Sequence, residues 1–76
     1  MKELTTFLIE NIIGSDEFTV EETIESGKCD ILVKIKSENI GFIIGKEGKT
    51  IKNIRRILAI KASLERLSVN IKVEEK

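Results

Sequence analysis

Histidine, proline, tryptophan and tyrosine are absent from this 76-residue sequence, and cysteine occurs once. Without histidine, the side chain most often used for general acid–base work is missing. A Ser-His-Asp triad and any zinc site that includes histidine are excluded by the same gap. Cys29 has no partner for an internal disulfide, so a reducing, cytoplasmic setting is expected. No stretch approaches the roughly 20 apolar residues of a membrane span. The best N-terminal run, Phe7 to Ile13, is broken by Glu10 and Asn11 and lacks a small-residue cleavage site. Neither a membrane partner nor a secretory signal is expected. No constellation points to an enzyme, a metal or a cofactor. The 41% apolar content excludes a disordered chain, and the length admits one domain, residues 1–76.

Net charge is missing too, because thirteen basic residues balance thirteen acidic ones. The balance hides an asymmetry. Residues 1–27 carry Lys2 against seven acidic residues, a net of −6, and residues 28–76 carry twelve basic against six acidic, a net of +6. Within 46–61, Lys46, Lys49, Lys52, Arg55, Arg56 and Lys61 face Glu47 alone. A concentrated basic segment attracts an anion through its local potential. A solvated helix face would look the same by charge alone.

Leu4, Phe7, Leu8 and Ile12 recur at helical spacing, which predicts a helix over 2–13 that stops at Gly14. Phe18, Val20 and Ile24 then share one parity of a strand whose apolar face Glu22 interrupts. Ser26-Gly27 makes a turn into a second strand over 28–36, where Cys29, Ile31, Val33 and Ile35 alternate and Leu32 is the exception. Ser37 is a candidate cap for a short helix over 38–44. Gly45-Lys46-Glu47-Gly48 interrupts it, and a longer helix over about 49–63 carries the core stripe Ile51, Ile54, Leu58 and Ala62. No glycine marks that helix's end. A last strand over 68–74 places Val69, Ile71 and Val73 on one face.

The informative stretch runs from Ile43 to Arg55, IIGKEGKTIKNIR. A four-residue turn with glycine at both ends joins two helices. Glycine permits positive φ and close approach of another backbone. The start of the second helix presents free N–H groups and a partial positive charge, which suits a phosphate. Gly48-Lys49-Thr50 imitates the end of a Walker A loop, but position 43 is isoleucine where that motif needs glycine.

With the α-β-β-α-α-β order around it, this motif resembles the KH domain in its type II arrangement. The resemblance spans the whole chain, whose size is similar to the small bacterial single-KH RNA-binding proteins, the KhpA or YlqC family. It implies an α+β fold with a three-stranded sheet covered by three helices. It also implies non-catalytic binding of single-stranded RNA, as an RNA chaperone or post-transcriptional regulator. In KH domains the GxxG loop clamps about four nucleotides of backbone. Carried over by position, Gly45 and Gly48 admit the sugar–phosphate backbone, and Lys46 and Glu47 are the variable loop positions. Gly41, Ile44 and Ile51 contribute an aliphatic base groove, with strand residues 31–35 as its other wall. Lys46, Lys49 and Lys52 are the phosphate-contact candidates, and Lys61 is ordinary surface.

Glu47 should repel RNA, unless it serves the start of the following helix, where negative charge is favoured. That second role is the expectation. Phe7 and Phe18 sit in apolar patterns that read as core. A KH fold that acts as a protein-interaction module with little RNA affinity is the competing reading, and Glu47 and the acidic first third support it.

The long helix has a second apolar row, Ile57, Ile60 and Leu64, and the first helix is similarly broad, adding Ile9 and Ile13. Either the two helices bury these rows against each other, or the rows form a protein–protein surface such as a homodimer interface. The resemblance implies self-association and pairing with a second KH protein of the Jag or KhpB type.

Overall fold

A computed structural model describes all 76 residues. Helix α1 spans Lys2–Ile13, and Gly14 ends it in the left-handed conformation, donating its N–H to the Glu10 carbonyl at 2.8 Å. Strands β1 (Phe18–Glu25) and β2 (Lys28–Ile35) pair antiparallel, from Phe18 opposite Ile35 to Glu25 opposite Lys28. Between them Ser26 and Gly27 have φ of 51° and 78°. Two successive positive φ values are the signature of the tight turn whose twist matches a hairpin. Helix α2 (Ser37–Ile44), a 3-10 turn (Lys46–Gly48) and helix α3 (Lys49–Leu64) then cross the sheet. Strand β3 (Ser68–Glu75) returns parallel to β2, giving the order β1-β2-β3. The expected α-β-β-α-α-β order is present.

All three helices share one face of the sheet. The core joins Ile9 of α1, Val20 of β1, Ile43 of α2, Ile71 of β3 and the α3 stripe Ile51, Ile54 and Leu58. Cys29, Ile31, Val33 and Ile35 of central β2 complete it. The middle strand is paired on both sides, so its inward residues lie deepest. The opposite sheet face is polar. Leu32 sits there half-buried among Glu21, Thr23, Asp30, Asn70, Lys72 and Glu74.

Several local expectations change. Phe7 is 62% exposed, and Thr5 is fully buried on α1 instead. The Thr5 hydroxyl donates to the Met1 carbonyl at 2.8 Å, which removes the penalty of burying a polar group. Phe18 is half-buried and packs against the core, as its pattern implied. Ile24, on the inward parity of β1, is exposed. Glu22 interrupts that parity for a reason. Its Oε2 accepts the Lys2 N–H at 2.8 Å and lies 3.4 Å from the N-terminal ammonium. A carboxylate twenty residues away thus satisfies the start of α1. Ser37 is the first residue of α2 and makes no capping hydrogen bond; Lys36 occupies the cap position.

Helix α3 ends without glycine. The Leu67 N–H bonds the Ala62 carbonyl at 2.8 Å and the Arg66 N–H bonds that of Ser63 at 3.1 Å. This is the Schellman pattern, with Arg66 in the left-handed position at φ 58°.

Candidate nucleic-acid interface

The turn between α2 and α3 is held by its own backbone. Gly45 donates to the Gly41 carbonyl at 2.8 Å, Gly48 to that of Gly45 at 3.1 Å, and Lys49 to that of Lys46. None of these bonds uses the N–H of Lys46 or Glu47. Those donors sit at the positive end of α3, where an anion is favoured.

The three glycines play different parts. Gly45 has φ 78° and ψ 173°, a region open essentially to glycine alone. A Cβ there would overlap the Thr50 hydroxyl and lie 2.6 Å from the Thr50 Cβ. Its lack of a side chain is therefore an internal demand of the α2–α3 packing. Gly48 needs positive φ, 73°, but nothing lies within 4 Å of a Cβ placed on it. Gly41 is helical and equally unobstructed. Gly41 and Gly48 are thus the places where the backbone lies open to a ligand.

The expected groove residues differ in accessibility. Gly41 is exposed and Ile44 half-buried, whereas Ile51 belongs to the core. The proposed wall from 31–35 does not form. Ile31, Val33 and Ile35 are buried under the helices, and Leu32 and Lys34 lie on the opposite sheet face. Strand β3 is the one beside both α2 and α3.

The cations sort clearly. Lys34 pairs with Glu21 at 3.5 Å, Lys36 with Glu17 at 2.8 Å and Lys61 with Glu65 at 3.7 Å. Lys46, Lys49, Lys52, Arg55 and Arg56 are exposed and take part in no ion pair. Five of the ten unpaired cationic side chains therefore cluster on the turn and the exposed side of α3. Glu47 does not cap the helix start by a hydrogen bond, so any service to α3 is through its charge alone. It sits exposed in the left-handed conformation at φ 56°.

Two further features surround the turn. Phe42, which the sequence pattern left unassigned, is 62% exposed on α2. Its position about 100° around the helix from both Gly41 and buried Ile43 was the available signal. The α3 row is bare: Ile57, Ile60 and Leu64 are 42%, 61% and 80% exposed, so α1 does not cover them.

Residues 2–73 match the family model described as the KH domain of KhpA/KhpB. The chain is 32% identical to the RNA-binding protein KhpA of Chlamydia trachomatis serovar D over 76 residues, covering 99% of this chain and 97% of that protein. Its Chlamydia pneumoniae counterpart is 33% identical over the same span. The RNA-binding protein KhpA of Thermotoga maritima is 35% identical over 60 residues, 78% of this chain and 80% of that one. With a type II arrangement of helices and strands, a glycine-bounded α2–α3 turn and this match along almost its whole length, the chain belongs to the KhpA/KhpB family of KH domains.

Proposed function

We propose that this protein binds single-stranded RNA without catalysis, acting as an RNA chaperone or post-transcriptional regulator. One observation carries the reading: unpaired Lys46, Lys49 and Lys52 surround a turn whose Gly48 is open to a backbone. The name shared by the KhpA relatives, RNA-binding protein, supports it. In this reading the RNA backbone runs over Gly41 and the 45–48 turn, and Ile44 meets the bases. Glu47 tempers the affinity. Three phosphate contacts would give a salt slope of about 2 for a single strand.

Titration of labelled single-stranded RNA against wild type and a Lys46→Asp, Glu47→Asp double variant tests the clamp. Binding should be lost in the variant while its circular dichroism stays native. Equal binding by both folded proteins sinks the mechanism.

The bare α3 row supports a second part of the proposal. Ile57, Ile60 and Leu64 join two copies in a homodimer, or join this chain to a second KH protein of the KhpB type. A dimer doubles the RNA contacts and raises avidity without new chemistry. The single buried thiol supports a reducing, cytoplasmic setting.

A further inference from the structure

Phe42 is unusual for its place. An aromatic ring outside the core cluster has been left 62% exposed on an eight-residue helix. It directly follows Gly41, where a Cβ would meet nothing within 4 Å, and it precedes Gly45 by less than one helical turn. Around the helix it lies about 100° beyond Gly41 and about 160° beyond Ile44. The ring therefore stands outside the aliphatic groove, across the exposed crest of α2. Glu38, one turn earlier on the same exposed side, is a carboxylate that repels phosphate. This spot suits an uncharged, flat group rather than the nucleic-acid backbone.

We propose that Phe42 stacks one unpaired base of RNA that flanks the nucleotides held at the 45–48 turn. The inference rests on the RNA-binding reading above and adds a contact to it. The KH clamp grips about four nucleotides, so Phe42 extends the footprint by a fifth. Stacking on an aromatic ring tolerates any base, because every base has a π-face. The ring carries no charge and releases no counterion, so its loss leaves the salt slope unchanged. That signature separates it from the lysines.

The test compares fluorescein-labelled random-sequence RNA tetramers and octamers. Wild type, Phe42→Ala, Phe42→Leu and the Lys46→Asp, Glu47→Asp variant are titrated over a salt series. Phe42→Ala should weaken octamer binding about tenfold, leave the tetramer unaffected and keep the salt slope. Phe42→Leu should not restore the loss. A Phe42→Trp variant gives an independent readout, because the chain has no other tryptophan and no tyrosine. Its fluorescence should be quenched by the octamer.

Octamer binding by Phe42→Ala equal to wild type, with the turn variant still defective, overturns the stacking contact and leaves the clamp standing. Unchanged RNA binding with altered self-association in sedimentation assigns Phe42 to a protein interface and likewise overturns it. A wild type that binds neither RNA defeats the RNA-binding reading and this inference together.

Discussion

Gly45 and Gly48 look equivalent in a GxxG motif, yet a methyl group would meet different surroundings at each. At Gly45 it would collide with Thr50 and also force a backbone region that side chains avoid. At Gly48 it would meet open space and feel only the left-handed conformation. Urea denaturation should therefore show Gly45→Ala losing about 2–4 kcal/mol and Gly48→Ala about 1–2 kcal/mol. Equal losses would mean that Thr50 yields and the contact is unimportant. Arg66 poses the opposite case, a side chain where glycine is preferred. Arg66→Gly keeps the Schellman bonds of α3 and removes the left-handed penalty, a gain of about 1 kcal/mol. For a chain of this size that raises Tm by about 4–8 °C. An unchanged Tm would show that unfolded-chain entropy cancels the gain.

Helix α3 divides its surface three ways: a core stripe, a strip of unpaired basic residues and the bare row Ile57, Ile60 and Leu64. Because Ile60 is 61% exposed, Ile60→Asp should change folding stability by less than about 0.5 kcal/mol. Sedimentation should nevertheless shift towards monomer. A wild type already monomeric at high micromolar concentration would defeat the dimer proposal. The α3 stripe was legible in the sequence, because Ile51, Ile54, Leu58 and Ala62 repeat at helical spacing and all four are buried. So were the hairpin and the glycine turn. Helix α1 was harder. Phe7 raises the apolar count of one side, while buried Thr5 hides its polarity in a local hydrogen bond. Glu22 looked like a flaw in a strand because its partner, the start of α1, is distant in sequence. At the candidate site, the lysines were identifiable from position. That Gly45 answers to Thr50, and that Phe42 projects outward, depend on how α2 and α3 meet.

Across the whole molecule, folding bridges the division of charge at two places. Glu21 and Glu17 of the acidic third hold Lys34 and Lys36, while the five cations of the turn and the exposed side of α3 stay unpaired. The Lys36 ammonium holds Glu17 below the usual carboxylate range. Cys29 reports on the molecule as a unit. It is fully buried on the central strand, and burial, reinforced by the Glu22 carboxylate, pushes its thiol pKa upwards. A thiol reagent should label it only after the core opens, at a rate that rises with urea along the global unfolding slope. Rapid labelling in plain buffer would instead reveal a local opening under α1.

The parallel pairing of β2 with β3 sets the order in which this molecule can assemble. The hairpin β1–β2 closes through a two-residue turn and can zip within microseconds. Lys28 and its β3 neighbour Ser68 are forty residues apart, and their pairing must wait for a long loop to close. Both α2 and α3, with the turn between them, lie inside that loop. A half-folded chain thus carries the α2–α3 turn and its lysines without the strand on which both helices pack. In the proposed reading the RNA site depends on that support, so labelled RNA added during refolding should be bound only as the last strand docks.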